Sequence, residues 1–403
     1  MPPVGCSSVG ASWKDAELYD GKRMAQVSRV TPIPLVCLRS QHAQVAKAVE
    51  VAIARVSAAQ QFILGEEVRA FEDALAARFG VAAAVGVASG SDALYLALRA
   101  SGVGPGDEVI TTALSFFATA GAIVRTGATP VFVDVESEGL GLDPARLDGA
   151  FSSRTKAIVP VHLYGRCARI EPVVAFAASR GIAVIEDVAQ AIDATRGGHF
   201  AGTFGDFGCL SFHPTKNLGG WGDGGMVLCR DGAAARVLGT LRAHGGRDGV
   251  YREVGINSRL DALQAAILGA KLPYLEGWNA ARRSCAQRYR ELFAEAAFGS
   301  HLTALAPDRE GCEVVHHFVV RCRRRDALRA HLDARGIGVG IYYPTPLHLQ
   351  PCFASLGGRE GDCPVAEAAC VELLSLPMFP ELAEAQQRRV VDEISSFYKG
   401  SAA

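Results

Sequence analysis

From residue 83 to residue 229, short, nearly continuous apolar runs alternate with helix-like segments, and no other feature constrains the fold as much. The runs at 83–89 (AAVGVAS), 107–112 (DEVITT), 129–135 (TPVFVDV), 157–163 (AIVPVHL), 182–187 (IAVIED), 208–212 (GCLSF) and 225–229 (GMVLC) read as buried strands. Between several of them, 91–100, 117–126 and 171–181 read as helices. A strand apolar on both faces must be covered twice, and a parallel neighbour needs a crossover long enough for a helix. The expectation is an α/β chain whose mostly parallel mixed sheet is covered by helices. Ligands of such sheets collect beyond the carboxyl ends of the strands.

After about residue 258 the texture changes. Residues 258–293 read as a long helical region interrupted at Pro273, and VVHHFVVRC and GVGIYY read as strands, with helices near 325–335 and 381–398. This predicts a large domain over 31–278 and a smaller α+β C-terminal domain over 279–403. Residues 1–30 carry scattered charges and no apolar core segment, so a disordered extension is expected there rather than a secretory signal. No run reaches the roughly 18 apolar residues of a membrane span. The net charge is −1 and the densest basic cluster is RCRRRDALR (321–329), which argues against nucleic acid as a main partner. The 11 cysteines are scattered without a C-x-x-C pair or a Cys/His run of metal spacing. That pattern predicts no metal site and a reducing, cytoplasmic setting.

Three strand ends carry groups with chemistry. After the first strand, Gly90-Ser91-Asp92 opens a helix, whose free N–H groups could cradle a phosphate; the alternative is that Ser91 or Asp92 only caps the helix. The strand ending in Glu186-Asp187 leaves a carboxylate whose burial calls for a cationic partner. In SFHPTKNLGGWGDGG (211–225), Lys216 sits among glycines, and Ser211 could donate to a phosphate. A desolvated lysine loses basicity and becomes a nucleophile. Phosphate cradle, aromatic face, carboxylate and lysine, in that order, suit pyridoxal 5′-phosphate. A Walker A loop is absent, since Lys216 is followed by Asn217.

The lysine segment resembles the signature of the DegT/DnrJ/EryC1/StrS sugar aminotransferases of fold-type I. So do FILGEEVRAFE (62–72), SGSDALYLAL (89–98), PVHLYG (160–165), EDVAQA (186–191), GINSRLDALQAAIL (255–268), YYPTPLHLQP (342–351) and LSLPMFPEL (374–382), in family order. The resemblance implies that Lys216 bonds the cofactor and shuttles protons, and that Asp187 pairs with the pyridinium nitrogen. It implies that Phe116 stacks on the ring and that Gln190 lies near the ring hydroxyl. Gly90, Ser91, the Asp92 amide and Ser211 hold the phosphate, and Asn257 reaches the phosphate bound by a neighbouring subunit of a homodimer. Tyr343 and His348 become candidate substrate contacts. Ile192-Asp193 stands where the family often has His-Gly, and His213 where it often has Tyr; both are expected to affect sugar recognition. The resemblance implies transfer of an amino group from L-glutamate to a nucleotide-linked keto sugar, at C3 rather than C4. A cyclitol aminotransferase and a non-catalytic sensor on the same fold are the alternatives.

Overall fold

A computed structural model of the chain describes residues 31–247, 249–307 and 311–400. The expected N-terminal extension, residues 1–30, lies outside the described residues. Strands β1 (Ala83–Val87), β2 (Glu108–Thr112), β3 (Thr129–Val133), β4 (Thr155–Val159), β5 (Ala183–Asp187), β6 (Phe207–Ser211) and β7 (Gly225–Cys229) form one sheet. Their spatial order is β1-β7-β6-β5-β4-β2-β3. Pairs β2–β3, β2–β4, β4–β5 and β5–β6 are parallel, while β7 runs antiparallel to both β1 and β6. The reversal has a local cause. Residues 212–224 contain no helix, so the chain leaving β6 returns as a neighbouring antiparallel strand instead of crossing over.

The apolar runs are double-sided because the sheet has two cores. Adjacent residues Val184 and Ile185 enter different cores, as do Val109 and Ile110. One face packs on α1 (Leu38–Ala59), α2 (Glu66–Phe79), α5 (Ile170–Arg180) and α6 (Ala262–Lys271); the other is covered by α3 (Gly90–Ala100), with α4 (Phe117–Arg125) packed against α3. Ile110, Ile158 and Ile185 are fully buried. Each such side chain contributes about 1.5–3 kcal/mol relative to exposure.

Pro273 breaks the long helical region as its sequence predicts: a 3₁₀ turn at Leu272–Tyr274 separates α6 from α7 (Leu275–Ala296). Leu275 at the start of α7 joins the core of the large sheet, whereas Cys285, Tyr289 and Phe293 join a second core. That core covers an antiparallel sheet of Leu302–Ala304, Phe318–Cys322 and Leu373–Leu376, and Ile33 enters it by pairing with Ile337. The expected strand in GVGIYY is not formed. Only Gly340 bridges to Ser375; the chain then leaves the sheet and sends Tyr342 and Tyr343 into an aromatic cluster. Among the described residues, no helix is long and apolar enough to cross a membrane.

Candidate active site

The carboxyl ends of β1, β5 and β6 and the start of β7 converge on one place. The glycine-rich segment is the β6–β7 connection, which answers why one lysine sits among glycines. The backbone folds back on itself there: Lys216 N–H donates to the His213 carbonyl at 2.8 Å and Gly220 N–H to the Phe212 carbonyl at 2.8 Å. A Cβ on Gly219 would lie 2.2 Å from the Pro214 oxygen, so only glycine fits. The same closeness holds across strands, since a Cβ on Gly90 would lie 2.6 Å from Ser211 Cβ. Gly90 thus brings the start of α3 against the end of β6. The first-turn N–H groups of Gly90 and Ser91 have no intrahelical acceptor.

Neighbouring strand residues face opposite ways, and this separates the two acids of β5. Glu186 is fully buried and saturated: it accepts from Gly202 N–H (2.8 Å), Phe204 N–H (2.8 Å) and Gly205 N–H (2.7 Å) and lies 2.8 Å from His162 Nε2. His162 Nδ1 accepts from Ala168 N–H, so the ring proton is on Nε2 and is donated to Glu186. Asp187 is on the other face. It accepts from Thr119 Oγ1 at 2.9 Å and Ala189 N–H at 3.1 Å. Burial pushes its carboxyl pKa up, while those two donors and the nearby Lys216 pull it down. Desolvation lowers the Lys216 ammonium to about 8, partly offset by attraction to Asp187. A carboxylate and a weakly basic amine therefore share one low-dielectric site.

Phe116, just before α4, leaves 55% of its surface exposed, and its ring centroid lies 5.8 Å from that of Tyr343. Gln190 links two segments: Oε1 accepts from Tyr164 N–H at 2.7 Å and Nε2 donates to Tyr343 Oη at 3.0 Å. Burial and the nearby Asp187 raise the Tyr343 pKa. Sequence reasoning missed three groups here. Thr119 lies in the first turn of α4, three residues after Phe116, a closeness in sequence that could have flagged it. His316 and His317 sit on the approach to the second sheet, with pKa values well below 6.5 through desolvation and the nearby cations, including Lys216. His317 stacks on Tyr342 at 4.3 Å, and His316 Nδ1 lies 3.1 Å from Asn217 Oδ1. Nothing local in a His-His doublet announces that it will lie near a lysine 100 residues earlier in the chain.

Two expectations are corrected, the cap of α3 and the role of Ile192-Asp193, and His348, His213 and Asn257 are given their places. Neither Ser91 nor Asp92 caps α3; Ser89 does, and its Oγ takes the Asp92 N–H at 3.1 Å. The Asp92 amide is therefore engaged, and its carboxylate accepts from Arg125 at 2.8 Å. Asp193 does not face the site: it forms a two-pronged pair with Arg78 of α2 at 2.7 and 2.6 Å, and Ile192 is core. His348 is buried, with Nε2 3.0 Å from Glu367, which itself accepts from Gly361 and Cys363 N–H groups. His213 is exposed and bonds Thr215 at 3.1 Å. Asn257 is exposed as well. In the apolar helix that follows it, α6, Ala262, Ala265, Ala266 and Leu268 pack into the chain's own core against α1 and α2. Among the described residues, no cluster of His, Cys, Asp and Glu could hold a metal ion, and the described cysteines are free thiols.

This donor set fits pyridoxal 5′-phosphate: a glycine-lined helix start, an exposed aromatic face, a buried carboxylate and a desolvated lysine. Comparisons with known proteins agree. The chain is 46% identical to the UDP-N-acetyl-3-dehydro-α-D-glucosamine 3-aminotransferase of Acidithiobacillus ferrooxidans, over 90% of this chain and 97% of that one. It is also 46% identical to a protein of Geobacillus stearothermophilus named pleiotropic regulatory protein, over 91% and 99% of the two chains. The crystal structure of S. venezuelae DesV in complex with a ketimine intermediate is 39% identical, covers 91% of this chain and 99% of its own, and superposes with a TM-score of 0.88. The model of the DegT/DnrJ/EryC1/StrS aminotransferase family matches residues 44–395, and the chain belongs to that family.

Proposed function

We propose that this protein is a pyridoxal-phosphate aminotransferase that moves an amino group from L-glutamate to C3 of a nucleotide-linked 3-keto sugar, in the cytoplasm. The observation that carries the reading is the placement of Lys216 in the glycine-rich β6–β7 connection, beside the strand end that carries buried Asp187. When bound, the cofactor supplies an electron sink for the carbon that loses its proton. Lys216 Nζ would hold the cofactor, take the α-proton of the donor and return a proton to the sugar carbon that receives nitrogen. Asp187, kept polarised by Thr119 and Ala189, would pair with the ring nitrogen. Gly90, Ser91 and Ser211 would hold the phosphate and Phe116 would cover the ring. Gln190 would orient Tyr343 beside the substrate.

C3 is favoured because the Acidithiobacillus relative is named for a 3-dehydro substrate. A panel of matched 3-keto and 4-keto nucleotide sugars, with glutamate as donor, tests this. The expected result is efficient turnover of a 3-keto compound, with the new nitrogen located at C3 by NMR; turnover of only the 4-keto compounds would end the C3 assignment. The regulatory name of the Geobacillus relative favours a second reading, a ligand sensor on the same fold. Conversion of the bound cofactor to its amine form by glutamate separates the two, since a sensor would not carry it out.

The homodimer with shared sites rests on surface chemistry. Val250, Tyr251 and Val254 are 58%, 68% and 83% exposed, and Phe62 and Ile63 are exposed too. Apolar side chains at this exposure beside Asn257 suit contact with a second copy. Mixing Lys216→Ala with Asn257→Ala protein should restore activity, because one site of each hybrid dimer keeps both residues. A monomer fully active at nanomolar concentration would contradict it.

A further inference from the structure

Helix α6 carries two polar side chains, Gln264 and Lys271, seven residues apart and so on one face two turns apart. Both end on the glycine backbone that follows Lys216. Gln264 Oε1 accepts from Trp221 N–H at 2.8 Å. Lys271 Nζ donates to the Gly219 carbonyl oxygen. Lys271 is 4% exposed and, among the described residues, has no carboxylate partner. Its other neighbours bring no negative charge: the Trp278 ring, 5.9 Å from Nζ, and a cavity of about 380 Å³ lined also by Arg39, Gln41, His42 and Trp221. A lysine buried without a counter-ion is costly, and a hydrophobe of the same length would fill the space at lower cost. What the ammonium supplies and a hydrophobe cannot is a charge-assisted bond to one backbone oxygen. That oxygen belongs to a segment with no regular secondary structure to hold it and several glycines to loosen it.

We infer that Lys271 and Gln264 are positioning residues: they clamp the Gly219–Trp221 backbone and thereby fix where the Lys216 amine points. Asn217, next to Lys216, is a second anchor of the same segment, donating to Asn279 of α7 at 2.8 Å and to the Val314 carbonyl at 3.1 Å. The backbone that follows the reactive lysine is thus held at two points by side chains that do not touch the reacting atoms. Desolvation lowers the Lys271 ammonium to about 8, in keeping with a cation that has little besides a carbonyl to stabilise it. The inference rests on Lys216 being the reactive amine, but its test does not.

The test is hydrogen–deuterium exchange of the backbone amides of residues 218–223, with and without cofactor. Lys271→Met keeps the aliphatic stem and removes the donor. These amides should then exchange about tenfold faster, the scale of one lost charge-assisted bond, while exchange in β1 and β4 is unchanged. In the loaded enzyme kcat should fall with KM little altered, and Lys271→Gln, which retains a donor, should recover part of both effects. Gln264→Leu provides the second arm should Lys271→Met not fold, and should loosen the same amides. Unchanged loop exchange in whichever variant folds, or a uniform loss of protection across the sheet, would overturn the clamp. If borohydride fixes the cofactor to a different lysine, the Lys216 reading fails while the exchange result still stands.

Discussion

Lys216→Ala is expected to lower turnover by at least about 10⁴-fold, the upper range for removing a positioned acid–base group, because the same amine both bonds the cofactor and moves the proton. Borohydride reduction of the loaded wild-type protein, followed by peptide mapping, should place the pyridoxyl group on Lys216; a label elsewhere would sink the assignment. The physical ground is that desolvation in the β6–β7 connection lowers this amine to about 8, so a usable fraction is neutral near neutral pH. Lys271 is lowered to about 8 as well, but its ammonium is turned into the Gly219 carbonyl rather than towards Asp187. Basicity alone does not distinguish the two lysines; placement does.

Asp187→Asn should lower kcat by about 10²–10³-fold, the scale of deleting one preorganised electrostatic partner, because a neutral ring is a poor electron sink. Its neighbour should behave in the opposite way. Glu186→Gln leaves the reacting face untouched but replaces a saturated buried carboxylate with a group that keeps one acceptor oxygen and brings two new donors. His162 and three backbone N–H groups then compete for it. The expected cost is about 2–4 kcal/mol of folding stability, as for other broken buried charge networks, read by urea unfolding, with little change in kcat. Parallel kinetics and unfolding of the two variants check the pair; the reverse ranking would overturn the division of labour along β5.

The seven strands of the main sheet were legible because each is an apolar run bounded by turn residues; six of them lie within two residues of where the pattern puts them, and β4 ends four residues before its run does. The strand expected in GVGIYY fails for the reason the others succeed. Its apolar residues are broken up by glycines and end in two aromatics, and rings can be satisfied by contact with His317 and Phe116 as well as by a sheet. The strand at Leu373–Leu376 and helices α1 and α2 were not singled out, since the first is short and the last two precede the alternation that carries the fold.

What the sequence alone determined is the order of chemistry along the chain: a glycine–serine helix start, a strand-terminal carboxylate and a lysine among glycines. Such local patterns follow from strand periodicity, helix termini and backbone freedom, which act over a few residues. Tertiary structure decided which of these groups meet and which do not. It turned Asp187 inward to Thr119 and Lys216, spent Glu186 on the loop after β5, withdrew Asp193 to Arg78 and brought His316 to Asn217 from 99 residues away. The reason is that a side chain's partner is set by which strands and helices pack together, and burial then fixes its charge. Neither packing partner nor burial depth is written in any short stretch of residues.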